Sequence, residues 1–218
     1  VAGLVIAMDG PSGSGKSSAS RGVARALGLR YLDTGAQYRA MTWWMLRQGV
    51  DLADQAAVAA RSGEPEIVSG TDPDAPSIQV DGVDVGEPIR QDEVTSAVSA
   101  VAAVPQVRAR LVALQQEIVG TGDIVVEGRD IGSVVAPDAP VKIYLTASAE
   151  ARAQRRSAEL TGTTARAQQA AMARRDTLDS TRKTDPLSLA DGAIELDTTA
   201  LNLEEVIAEV LRLVKERT

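Results

Sequence analysis

Eight residues near the start of the chain have types and spacing that can do chemistry. Gly10-Pro11-Ser12-Gly13-Ser14-Gly15-Lys16-Ser17 fits the pattern G-x-x-x-x-G-K-[ST]. Glycines let a backbone wrap an anion with several N–H groups turned inward, and a helix N-terminus behind them adds positive potential. Lys16 can then neutralise the β and γ phosphates of a nucleoside triphosphate, and the Ser17 hydroxyl suits Mg2+. Gly10 through Ser18 is therefore the candidate ATP-binding loop, with Ser17 the candidate metal ligand and Ser18 its possible substitute. A glycine-rich turn that binds nothing is the plain alternative, and the acidic Asp9 beside the loop argues for it. The motif alone implies nucleoside triphosphate binding, without saying what is done with it.

Further along, arginines recur where a second anion could sit. Ile124–Val126 runs into Glu127-Gly128-Arg129-Asp130, in place of the acidic strand end expected of a motor or AAA-type ATPase. Ligands of open α/β sheets bind at the C-terminal strand edge, so Arg129 there suits a phosphate group. Arg39 follows Tyr31-Leu32-Asp33-Thr34-Gly35. Arg175, Asp179 and Arg182 share one face at helical spacing, with a solvated row of ion pairs as the plain reading. Arg152, Arg155 and Arg156 form another group, readable equally as an ordinary surface helix. No Asn-Lys-x-Asp segment is present to read guanine.

These residues need a scaffold, and apolar patterning supplies one. Leu4–Met8, Leu29–Leu32, Ile124–Val126, Val141–Leu145 and Ala193–Leu196 read as short buried strands. Helical patterns follow over Lys16–Leu27, stopped by Gly28, and over Ala36–Gln48. They return over Gln91–Val104, from Pro105 to Gly120, and over Ala149 to Arg182 with a break near 161–164. Leu203 to Val214 closes the chain, with Asn202 and Glu205 placed as a capping pair. Strands alternating with helices imply an α/β fold with a central parallel sheet. Between 62 and 86 the character changes. Prolines and glycines break any helix, and Asp81-Gly82 separates two β-type runs as in a hairpin.

Composition bounds the rest. The chain has 218 residues and no Cys or His, which removes thiol catalysis, histidine bases and Cys/His zinc sites. Its formal net charge of −7 argues against general nucleic-acid binding. No apolar run is long enough to span a bilayer, and no signal-peptide pattern precedes the first strand. The expectation is a monomer in the cytoplasm, with small-molecule partners, no nucleic acid and no membrane.

Several segments together resemble bacterial cytidylate kinases: Asp9 to Lys16, Tyr31 to Arg39, Glu127 to Val135, Arg175-Asp-x-x-Asp-x-x-Arg182, and Asp197-Thr-Thr199. The resemblance spans nearly the whole chain. It implies a P-loop NTPase three-layer fold with residues 1–62, 104–150 and 171–218 as core. Residues 63–103 would be a monophosphate-binding insertion and 151–170 a helical lid. It implies transfer of the ATP γ-phosphate to CMP or dCMP, with Mg2+. Carried over, Arg39, Arg129 and Arg182 would hold the CMP phosphate. Ser99, Arg108 and Asp130 would read cytosine. Arg175 and Asp179 would contact the sugar, with Thr34 lining the same pocket. Lys16, Arg129, Arg155 and Arg156 would act on the transferring phosphoryl group. One departure is Ser17-Ser18 after the lysine, where the family usually has a Gly-Thr-like pair. Rival readings are a kinase for UMP, AMP or a small alcohol, and a regulator that binds ATP as a switch.

Overall fold

The computed structural model describes residues 3–159 and 164–218. The break expected near 161–164 falls mostly outside them, and only Thr164 is described, as the N-cap of a helix. Apolar runs become a five-stranded parallel sheet. Its strands are β1 (Val5–Asp9), β2 (Arg30–Asp33), β6 (Ile124–Gly128), β7 (Val141–Thr146) and β8 (Ile194–Asp197), in the order β2-β6-β1-β7-β8. Ile6, Ala7, Met8 and Ile124 to Val126 are fully buried, as strands covered on both faces require.

The helices are α1 (Lys16–Leu27), α2 (Thr34–Arg47), α3 (Gln55–Arg61), α4 (Asp92–Ala102), α5 (Pro105–Val119), α6 (Ala149–Glu159), α7 (Ala165–Thr181) and α8 (Leu203–Arg217). Gly28 stops α1 in the left-handed conformation with φ 65°, its N–H returning to the last turn. Asn202 and Glu205 form the reciprocal capping box of α8. Helix α2 begins at Thr34, two residues ahead of the patterned stretch, because the Asp33 side chain accepts the Ala36 N–H at 3.0 Å. Helix α3 has no counterpart in the sequence reading. Its Ala-rich stretch shows one buried apolar residue, Val58, and its start is fixed by the Asp54 cap.

A separate antiparallel sheet joins β3 (Ile67–Gly70), β4 (Ser77–Val80) and β5 (Val83–Asp84). Asp81 and Gly82 both have positive φ, 50° and 78°, as a two-residue hairpin turn demands. Ile67, Ile78 and Val80 enter one apolar cluster with α2, α4 and α5. A second cluster lies under α1 and α8, and a third lies against β6 and the turn Ile131–Val135. Among the described residues no single helix is long and apolar enough to cross a membrane.

Candidate active site

The end of β1 sets up the phosphate loop. The Asp9 carboxylate accepts the N–H groups of Ile131 at 2.9 Å and Gly132 at 2.8 Å, so it turns into the core and away from the loop. Burial pushes its pKa up to about 6, against those two hydrogen bonds. The objection that Asp9 raised to anion binding is thereby removed. At Gly10, φ is 149° and a Cβ would lie 2.2 Å from the Leu145 carbonyl oxygen, so only glycine fits. Lys16 opens α1 and is buried, its ammonium donating to the Pro11 carbonyl at 3.0 Å. Burial, and then the neighbouring Arg129, lower its pKa.

Ser17 and Glu127 define the next part. The Ser17 hydroxyl donates to Glu127 Oε1 at 2.6 Å. Glu127 Oε2 is buried without a hydrogen-bond partner among the described residues. Burial raises the Glu127 pKa, with Lys16 and Ser17 opposing. By its sequence context Glu127 does not read as an acidic strand end, whereas the fold places it as one, beside the phosphate loop. An acid closing the apolar run Ile124–Val126 was the available signal. Two hard oxygen donors, one lacking a partner, fit Mg2+. Ser17 has the Glu127 contact, and Ser18 lines the same cleft.

Across the cleft lies a set of arginines. Arg39 of α2 donates to the Ile89 carbonyl at 3.1 Å and Thr95 Oγ1 at 2.8 Å. Arg129 reaches the Gly10 carbonyl at 2.8 Å, Ser12 Oγ at 2.9 Å and Asp179 Oδ2 at 3.1 Å, joining both halves. Arg175 Nε and Arg182 Nη2 are buried without partners among the described residues. Burial, then Arg175, lowers Arg39 to about 9, and burial, then Arg129, lowers Arg175 to about 10. Unpaired donors and like charges held this close are relieved by a bound polyanion. Thr34 donates to the Glu127 carbonyl at 2.7 Å, fastening α2 to the strand end.

The deep end of the cleft is polar but not purely cationic. Arg108, 1% exposed, pairs with Asp130 and with Asp185, the latter at 3.0 Å, and lies 4.9 Å over the Tyr38 ring. Ser99 donates to Asp179 Oδ1 at 3.1 Å. Asp185 and Tyr38 are additions that the sequence reading did not include. Nothing in local spacing ties either to Arg108.

The three arginines of α6 separate. Arg156 lines the cleft and pairs with Glu159 at 2.9 Å. Arg155 donates to the Thr198 carbonyl at 2.6 Å, Thr198 Oγ1 at 3.0 Å and the Ser14 carbonyl of the phosphate loop at 3.4 Å, and it does not line the cleft. Arg152 donates to the Ser12 carbonyl at 3.1 Å and pairs with Asp176, whose other oxygen accepts the Ser12 N–H at 3.2 Å. So α6 and α7 grip the phosphate loop through Arg152 and Asp176; the sequence groups Arg152 with Arg155 and Arg156 and sets Asp176 in the Arg175–Arg182 motif, and nothing in it pairs the two.

A family model described as cytidylate kinase matches residues 6–216. The chain belongs to the cytidylate kinase family. A cytidylate kinase of Streptomyces avermitilis is 58% identical, covering 100% of this chain and 95% of its own length. One from Streptomyces coelicolor is 61% identical over 98% of this chain and 94% of its own. One from Mycobacterium leprae is 50% identical over 99% and 97%. Among solved structures, a gluconokinase from Sinorhizobium meliloti 1021 superposes with TM-score 0.51 at 15% identity, over 99% of this chain and 93% of that one. An uncharacterised Eubacterium ventriosum protein gives 0.53 at 10%, over 98% and 99%. These two likenesses speak to the fold alone. Family membership and the cleft geometry together make the resemblance drawn from motifs a statement about the whole chain.

Proposed function

We propose that the protein transfers the γ-phosphoryl group of ATP to the phosphate of CMP or dCMP, giving ADP and the pyrimidine diphosphate. The observation that carries this reading is one cleft with two facing anion sites. The glycine loop with Lys16 forms one, and Arg39, Arg129, Arg175 and Arg182 form the other. Phosphoryl transfer needs alignment and charge neutralisation more than covalent help, so a chain without His or Cys can perform it.

In this reading Lys16 regains its full charge against the β and γ phosphates. Ser17, backed by Glu127, would hold Mg2+, which when bound would supply neutralisation of the developing phosphate charge. Arg39, Arg129 and Arg182 orient the acceptor phosphate in line with the donor. Arg175 and Asp179 face the sugar. Arg156 is the lid arginine placed to meet the transferring group. Arg155 would have to leave Thr198 before it could act there. Asp130 accepts from the cytosine amino group, where uracil presents an oxygen that a carboxylate repels.

Measuring ADP release with CMP, dCMP, UMP, AMP or shikimate as acceptor tests the proposal. CMP and dCMP should drive turnover far above the acceptor-free rate. Acceptor-independent hydrolysis, or turnover driven best by another acceptor, would overturn it.

A further inference from the structure

Arg108 is a guanidinium buried in the fold with a carboxylate on each of two edges. Its Nη2 donates to Asp130, its Nε to Asp185 Oδ2 at 3.0 Å, and its Nη1 to the Ala102 carbonyl at 3.1 Å. One carboxylate would suffice to neutralise it. With Asp130 alone, the ion pair would consume the charge that has to meet the base. With Asp185 as the second carboxylate, the group of Arg108, Asp130 and Asp185 carries one net negative charge. Asp130, only 3% exposed, then keeps accepting capacity on the cleft side, while Asp185, at 25%, approaches from the rim.

The backbone around Asp185 is built for this contact. Its φ is 48°, in the left-handed region that Asp and Asn enter more readily than other side-chain-bearing residues. The turn is closed by Leu187 N–H on the Asp179 carbonyl at 2.8 Å. Arg182 Nε donates to the Thr184 carbonyl at 3.1 Å and to the Asp185 carbonyl at 2.7 Å. Asp185 therefore touches the phosphate-side arginine with its backbone and the base-side arginine with its side chain.

We propose that Asp185 is a positioning residue that holds Arg108 and leaves Asp130 free to accept from the base, so that it sets the preference for cytosine over uracil. This rests on the reading of the cleft as a CMP site. Asp185→Gly keeps the left-handed backbone accessible and removes the carboxylate. Its KM for CMP should rise about tenfold with kcat less affected, as loss of a charge-assisted hydrogen bond predicts. The ratio of kcat/KM for CMP over UMP should fall by about as much, and KM for ATP should stay put. Asp185→Asn keeps the turn and an acceptor for Nε but loses the charge. It should recover part of the KM for CMP while the base ratio remains lowered.

A residue serving only the fold would lower the melting temperature and kcat without moving the CMP-to-UMP ratio. An unchanged ratio in a folded Asp185→Gly protein overturns the inference. If that variant does not fold, an unchanged ratio in Asp185→Asn does the same. Wild-type protein that fails to phosphorylate CMP overturns the site reading, and this inference with it.

Discussion

Asp9 is buried beside an anion-binding loop, and its charge is spent on two backbone N–H groups rather than on repelling phosphate. Its folded pKa of about 6 stands above the ordinary 3.8. A raised carboxyl pKa means that the protonated form stabilises the fold. That contribution is complete below about pH 4 and is lost as pH rises through about 6, a change of about 3 kcal/mol. Asp9→Asn does not titrate. The stability of wild type minus that of the variant should therefore fall by about that amount between pH 4 and 7 in urea titrations. A flat difference would show that Asp9 is not the titrating group. Lys16 is held at unfavourable depth for the sake of a ligand. Lys16→Ala should lower turnover by at least about a hundredfold while the melting temperature does not fall, since an ammonium buried beside Arg129 adds little to the stability of the fold. Near-normal turnover would remove Lys16 from the donor site.

At the scale of elements, the ion pair of Arg152 and Asp176 joins α6 and α7 at the phosphate loop. Asp176 accepts the Ser12 N–H, and Arg152 donates to both Asp176 and the Ser12 carbonyl. Asp176→Ala removes the acceptor of the Ser12 N–H and leaves Arg152 with its carbonyl contacts alone, which loosens the loop. KM for ATP should rise about tenfold, with KM for CMP moving much less, in steady-state kinetics with each substrate varied. Equal shifts in both would mean that the pair only stabilises the helices. Elements were legible in the sequence where local signals agree. Lys16–Leu27 has apolar spacing and a glycine stop, Ser77–Val80 has alternation and an Asp-Gly turn, and α8 has its capping box. They were not legible where a tertiary partner decides. The turn Ile131–Val135 is capped by Asp9, far away in sequence, and α3 rests on a single buried valine. The site divides likewise. Lys16, Arg39, Arg129, Asp130, Arg175, Asp179 and Arg182 are singled out by type within their motifs, whereas Asp176 and Glu127, inside the same motifs, and Asp185, outside them, take their meaning from partners brought by folding.

For the molecule as a whole, donor and acceptor groups lie on different bodies of packing. The glycine loop belongs with the cluster under α1 and α8, while Arg39, Ser99 and Arg108 stand on helices of the cluster that includes the small sheet. A cleft between them must open to admit nucleotides and close to exclude water. Residues 63–103 and 151–170 are the segments we propose to move. The contacts restrict how. The loop after β3 is tied to the core, with Tyr31 N–H on the Thr71 carbonyl at 2.9 Å and Arg21 Nε on the Pro73 carbonyl at 2.9 Å. Arg25 pairs with Asp74 at 2.6 Å, but both are exposed, so the backbone contacts carry the tie. We therefore expect the motion to pivot about 71–74 and its amplitude to grow toward α4. Adding ATP and CMP together should raise amide protection in α4, α6 and α7 and leave that of Tyr31, whose N–H forms the tie, unchanged. Hydrogen exchange read by mass spectrometry, with each nucleotide alone as reference, separates closure from simple occupancy. Equal protection of α4 with and without ligands would mean a rigid cleft. Protection changing at Tyr31 as much as in α4 would mean that the small sheet moves as one free body, without the pivot.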